Sequence, residues 1–437
     1  MLTILGVAMI VTFTFFIMTN RMSTITALTV IPVVFAAFAG FSFEIPEMML
    51  NGLKKVAPTA AFLLFALLFF AVMTDAGLFR PLIKVILRWA KGDPIKIAVG
   101  TSLLTLSVAL DGDGVTTFLI VTTALFPLYK QAGMRIATLV TIATISFSVM
   151  SGMMPWGGPA ARAMSVLNVN QSEYFAPFLF TVIGASIWVV GLAFWLGRKE
   201  KLRLASGEGF VSEQGDSDAI TSGNIDDGEQ PGLVRYFVNV ALTVTAMAFL
   251  IFDLAPASTL FLIAFVVALL INFPTVEQQR TVLKSHSSSA LMVVAVVLVG
   301  GCFTGILNET HMIDALATQI VSIVPKEWGG VVPVVIAFVS IPFSFVMSND
   351  AYFFGVVPVL AKAAEAYGVA PVEVIRAAVL AQPVHFILPL VPSTILLLEA
   401  TGLSVRAHLR YASFWSVLTC VVFILLAVVT GALSFNM

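Results

Sequence analysis

The chain has 437 residues, 59% of them hydrophobic and 11% charged, with a formal net charge of −1 and a mean hydropathy of +1.02. Soluble domains carry about 25% charged residues, so the composition excludes an ordinary soluble enzyme or binding module and points to a polytopic α-helical membrane protein with no nucleic-acid partner. Cys302 and Cys420 fall singly in apolar runs and imply neither a disulfide framework nor a metal site.

In chain order, apolar runs near the ~20 residues that cross a bilayer predict five crossings in the first half, at about 2–20, 24–41, 56–74, 136–168 and 175–197. The first lacks a basic leader and a small-residue cleavage site, and reads as a span. After the third, FRPLIKVILRWAKGD places Arg80, Lys84, Arg88 and Lys91 on one helical face, with Ile83, Ile86, Leu87 and Trp89 away from it. That pattern predicts a helix lying on the cytoplasmic surface. Segment 97–129 fits neither one crossing nor two. Its arms, before Asp111 and after Gly114, reach roughly 21 and 24 Å at ~1.5 Å per residue, short of a ~30 Å core. Basic residues flank both ends, Lys96 on one side and Lys130 and Arg135 on the other. The segment therefore reads as a re-entrant hairpin with Asp111-Gly112-Asp113-Gly114 at its tip. The crossing at 136–168 is broken near its middle by Pro155, Gly157, Gly158 and Pro159.

Residues 198–232, rich in Gly, Ser, Asp and Glu, have the composition of a cytoplasmic linker. Five further crossings follow at about 233–252, 256–272, 288–307, 373–403 and 410–432, with a second hairpin at 331–361 tipped by Ser348-Asn349-Asp350. HMIDALATQIVSIVPKE occupies the place of the earlier surface helix. Seventeen of the 23 lysines and arginines fall on one side of this arrangement. Only Lys54, Lys55, Lys326, Lys362 and Arg376 fall on the other, and Arg162 lies within the membrane. Positive charge accumulates inside, so the N-terminus is expected outside the cytoplasmic membrane. The halves share sequence at a nearly fixed offset: FFAVMTDAGLF (69–79) with FTGILNETHMI (303–313), pairing Asp75 with Glu309; GDGVTTFLI (112–120) with SNDAYFFGV (348–356); GMMPWGGP (152–159) with FILPLVPS (386–393). The predicted fold is all-α: two inverted repeats of five crossings, 1–197 and 233–437, each with a re-entrant hairpin and a broken helix. Secondary transporters are built this way.

A charge at the bilayer centre costs ~2.5–3.5 kcal/mol, so the acids at the tips need a reason. Asp111 and Asp113 either cap backbone N–H groups at the hairpin turn or serve a cation or proton. The neighbouring Gly112 and Gly114 allow a ligand to approach the backbone closely, and Thr116 and Thr117 add hydroxyls. Arg162 either grips a carboxylate ligand or pairs with Asp111 or Asp113. Asp350 is a candidate cation ligand or proton acceptor, and His385 a candidate titrating group. Ser348, Asn349, Gln382, Ser393 and Thr394 are polar candidates. Trp156 packs on substrate or in the core.

LDGDGVTTFLI, LYKQAGM and MMPWGGPAAR with VLNV resemble the citrate–metal–proton symporter family, CitMHS, across most of both halves. More distantly, the tips resemble the Ser-Asn-Thr tips of divalent anion:sodium symporters in the ion transporter superfamily; Ser348-Asn349-Asp350 keeps two letters of that pattern and the first tip departs from it. The resemblance implies a homodimer of elevator type, each protomer with a scaffold and a mobile domain. It implies proton-driven uptake of citrate complexed with Mg²⁺ or Ca²⁺, and no cofactor. In that scheme Gly112, Gly114, Thr116, Thr117, Trp156, Gly157, Gly158, Arg162, Ser348, Asn349, Ser393 and Thr394 bind substrate. Asp111, Asp113 and Asp350 touch the metal or, with His385, carry protons. Alternatives are a proton- or sodium-coupled symporter of a dicarboxylate or sugar acid, a channel, and an intramembrane aspartyl protease. The protease motif is Gly-x-Gly-Asp, which Asp111-Gly112-Asp113-Gly114 does not match. A transporter, and no enzyme, is expected.

Overall fold

Short polar signals open many of the helices. Side chains of Ser23, Asp93, Asp113, Thr275 and Ser404 each accept a backbone N–H at a helix start, and Pro94 follows Asp93 where its missing N–H costs nothing. In the computed structural model, which describes residues 1–90, 92–206 and 232–435, these signals delimit an all-helical chain with no strand among the described residues.

The first half contains α1 (Leu2–Met18), α2 (Thr24–Phe38), α3 (Ile45–Asp75), α4 (Arg80–Ala90), α5 (Pro94–Val108), α6 (Gly114–Gln131), α7 (Ile136–Met153), α8 (Gly158–Leu167) and α9 (Gln171–Ala205). The second contains α10 (Leu233–Ile251), α11 (Ala257–Asn272), α12 (Val276–Glu309), α13 (Met312–Ile323), α14 (Val332–Val346), α15 (Val357–Glu365), α16 (Pro371–Val379), α17 (Gln382–His385), α18 (Pro392–Thr401) and α19 (Val405–Val429). Both halves run in the same order: two helices, a long helix, a short one, a pair meeting at a tip, a helix interrupted at Pro and Gly or at Pro, and a long last helix. Among the described residues, eight helical segments, α3, α9, α10, α12 and α19 among them, are long and apolar enough to cross a membrane.

The tightest packing joins α3 to α12. A Cβ on Gly52 would fall 2.0 Å from the Gly301 carbonyl oxygen, so only glycine lets the two backbones meet there. α2 and α11 flank this pair, and α10 packs on α11, where Asn239 and Asn272 exchange amide hydrogen bonds of 2.8 and 2.9 Å. The tip-forming pairs and interrupted helices form a second packing group with α9 and α19, which touches the first through α8 on α3 and α12, residues 109–111 on α3, and α9 on α10.

Several sequence expectations shift. α3 begins at Ile45, so Lys54 and Lys55 are exposed residues on a helix instead of loop residues. α4 forms, with Ile83 and Ile86 buried against α5, but Trp89 is on its exposed side with Lys84 and Arg88. The helix α9 runs on to Ala205, taking the first residues assigned to the linker; 207–231 and Lys91 lie outside the described residues. Glu200 there is buried, accepting from Arg203 at 2.8 Å, Thr138 at 3.1 Å and the Arg135 backbone at 3.2 Å. Arg376, assigned to an outer loop, is buried in α16 and donates to the carbonyls of Glu173, Tyr174 and Ala432. A guanidinium's fan of donors suits that task.

Candidate functional site

The first tip is folded by its own acids. α5 ends in a tighter turn, Ala109–Asp111, and Gly112 takes a left-handed conformation (φ 77°) open chiefly to glycine. Asp111, buried, accepts the Asp113 backbone N–H at 2.9 Å. Asp113 then caps α6, accepting from the backbones of Val115 and Thr116 at 3.1 and 3.2 Å and from the Thr116 hydroxyl. Thr117 donates to the Asp113 carbonyl at 2.7 Å. Both acids thus satisfy backbone donors at the turn, and the positive end of α6 already carries a carboxylate.

This tip rests on both interrupted helices. Trp156, buried in the break between α7 and α8, donates through Nε1 to the Leu110 carbonyl at 2.7 Å and stacks on Phe70 with ring centres 4.7 Å apart. It fixes the turn from below. On the other flank, a Cβ on Gly114 would lie 2.6 Å from Ser393 Oγ and 2.9 Å from the Phe147 ring. Phe118, Phe147 and Phe386 continue that contact from α6 through α7 to the second break, each pair 4.9 Å apart. There Thr394 closes the break by donating to the Phe386 carbonyl at 2.7 Å.

The second tip is held by side chains that reach away from it. Asp350 accepts from Arg162 Nε at 2.6 Å and from the Thr24 hydroxyl at 2.9 Å. Asn349 and Gln382 exchange reciprocal amide bonds of 3.2 and 3.1 Å. Ser348 Oγ accepts the Ala351 backbone N–H at 3.2 Å. His385 is buried, its Nδ1 3.1 Å from the Ser344 carbonyl, which ties α17 to the tip's leading arm. After the tip the chain winds into a wider helical turn, Ala351–Val356, before α15.

Arg162 stands at the junction. Its partner is Asp350, 188 residues away, and neither Asp111 nor Asp113. Arg162 and Asp350 both remain 18% exposed, and the terminal amino groups of Arg162 make no other hydrogen bond to described residues. Gly157 precedes and Gly158 opens α8, which begins without a side-chain cap, as does α18 beside Ser393. Two uncapped helix starts and a guanidinium are suited to an anion. Asp350 stays apart from the Asp111–Asp113 pair, and among the described residues no three His, Cys, Asp or Glu side chains converge as a metal-holding group. Thr24 was not anticipated; a threonine at a helix start carries no signal of a partner in the other half. Gln382 was, as one polar residue among several.

Residues 13–381 match the family model described as "Citrate transporter", CitMHS. Three proteins of Bacillus subtilis (strain 168) align over almost all of this chain and all of their own length: the uncharacterized transporter YraO at 46% identity, a citrate transporter at 45% and a Mg(2+)/citrate complex secondary transporter at 41%. Among solved structures, the Alcanivorax borkumensis YdaH transporter is similar in fold, with a TM-score of 0.58 at 15% identity over 88% of this chain and 87% of that one.

Proposed function

The chain belongs to the CitMHS family of citrate transporters and is a multi-pass secondary transporter; on that footing we propose that it takes up citrate complexed with a divalent cation, Mg²⁺ or Ca²⁺, coupled to protons. The observation that carries this reading is Arg162, partly exposed one turn inside the uncapped start of α8, with a hairpin tip from the other half as its neighbour. Citrate with three ionised carboxylates and one divalent ion has one net negative charge. One guanidinium with helix dipoles balances that charge without a second cation. The acids of the site come as a pair, Asp111 and Asp113, and a separate Asp350. That arrangement suits an ion that brings most of its ligands with it on citrate.

In this reading the two halves are inverted repeats, and both tips are re-entrant, the first opening to the cytoplasm and the second outward. α2, α3, α11 and α12 serve as scaffold, while the tip-forming pairs and interrupted helices move as the transport domain of a homodimer in the cytoplasmic membrane. The Thr24–Asp350 bond joins a scaffold helix to the moving part, so it breaks and reforms during each cycle.

Counterflow of labelled citrate in proteoliposomes tests the assignment. Uptake should require Mg²⁺ or Ca²⁺ and should be driven by an inward proton gradient. Uptake of free citrate that ignores both divalent cation and pH would sink it, and uptake of a dicarboxylate or sugar acid in preference would move the substrate assignment.

A further inference from the structure

Asp75 and Glu309, paired in the sequence at an offset of 234, belong to neither hairpin. Each is the last residue of its long helix, α3 or α12, and each reaches across to the first third of the other. Asp75 Oδ2 lies 2.8 Å from His286 Nε2, and Glu309 Oε1 accepts from Asn51 Nδ2 at 3.1 Å. Asn51 and His286 are 235 positions apart, so these are two corresponding joints at opposite ends of one helix crossing. They differ in one chemical respect. Asn51 cannot take up a proton; an imidazole does so near neutral pH.

The joint with the histidine is the one beside the first tip. α3 packs on the turn Ala109–Asp111, and His286 is close enough for its charge to act on Asp111 and Asp113. Asp75 is bonded to the imidazole, and the two acids of the tip lie within reach of its charge. Among the described residues, α3 carries its other charges, Glu47, Lys54 and Lys55, toward the end away from Asp75. α2 has no ionisable side chain, and α8 has only Arg162, already bound to Asp350. The segment carrying Tyr352 meets α12 at Gly300, α13 with Asp314 follows the far end, and Lys284 is the nearest charge on α12 itself. So the second tip has a permanent cation, Arg162, and the first has one that comes and goes.

We infer that His286, in its joint with Asp75, is the group whose protonation offsets the acids of the first hairpin and so sets the pH at which that hairpin accepts and releases its anionic substrate. The inference rests on the proton coupling proposed above and assigns it a residue. His286 is a positioning and charge-balancing residue in this scheme. With the imidazolium present an approaching anion meets one more positive charge beside the tip than without it.

Mg²⁺–citrate counterflow in proteoliposomes, measured from about pH 5.5 to about pH 8.5, decides the matter. Wild type should slow by about tenfold as pH rises through the histidine range, and His286→Gln, which keeps an N–H for Asp75, should vary by less than about threefold. Asp75→Asn, which leaves the imidazole without its anion, should move the midpoint about one unit toward acid. Asn51→Ala, at the neutral joint, should leave the midpoint in place. Thermal stabilisation by Mg²⁺–citrate at acid pH verifies folding, and if His286→Gln fails to fold, Asp75→Asn decides. A sloped wild type with wild-type midpoints in the folded variants overturns the inference alone. A flat wild-type profile overturns the proton-coupling reading and the inference together.

Discussion

The two hairpin tips solve the same problem with different materials. At the first, Asp111 and Asp113 turn inward to the backbone, Gly112 supplies a left-handed residue, and Gly114 lets Ser393 come close. At the second, Asn349 and Asp350 turn outward to Gln382, Arg162 and Thr24 on three other helices. A tip built from its own backbone keeps its shape wherever it is carried. One built from outward side chains keeps its shape only while its partners stay in register. The first should therefore be sensitive to added volume, and the second to lost charge.

Removing the charge is the largest expected effect. Arg162→Ala strips Asp350 of its cation, and breaking such a pair costs on the order of 2–4 kcal/mol where it is partly buried, or at least ~30-fold in transport or Mg²⁺–citrate affinity. Arg162→Lys should recover only part of this, because an ammonium lacks the planar fork. Affinity measured by isothermal calorimetry checks both; a wild-type value for Arg162→Ala would erase the contrast between the tips. Adding volume comes next. Gly114→Ala puts a methyl group where Ser393 Oγ now lies at 2.6 Å, and overpacking of this kind costs roughly 1–3 kcal/mol. Ser393→Gly in the same chain should return part of the loss in a thermal-unfolding double-mutant cycle. Strict additivity would show that the two elements do not meet. Trp156→Phe keeps the stacking on Phe70 and removes the donor to the Leu110 carbonyl, so about 1–2 kcal/mol of stability should go, read as a lowered melting temperature in detergent.

What the sequence made legible was local. Gly and Pro mark the break before α8 and Pro marks the one before α18, two glycines and two acids mark the first tip, and the spacing of Ile83 and Ile86 marks α4's buried side. Pairing across the halves was not legible. The two roles read for Arg162 are a grip on a ligand carboxylate and a pair with Asp111 or Asp113, which are nearer in the chain; the acid it meets is Asp350. Periodicity says which face a residue occupies and nothing about which distant face it opposes. Arg376 and Glu200 fail for a related reason: a charged residue near a helix end normally signals solvent, and here each is buried with its hydrogen bonds made by backbone carbonyls or by Arg203, Thr138 and Arg135. Asp75 and Glu309, paired in the sequence by the offset between the halves, each end a long helix and bond to a residue of the other helix, a contact the offset alone does not reveal.

The smallest effect separates the two roles left open for Asp113. As a cap it accepts N–H groups from Val115 and Thr116, a task asparagine performs about as well, so Asp113→Asn should change stability by less than ~0.5 kcal/mol while Asp113→Ala loses about 1 kcal/mol. If capping is its whole contribution, transport should follow stability: near wild type for asparagine, modestly reduced for alanine. If its charge also faces the cation of the substrate, asparagine should lose uptake with its melting temperature intact, because the turn survives and only the charge has gone. The first tip would then share the second's dependence on charge, and the difference between them would lie only in what holds each in place.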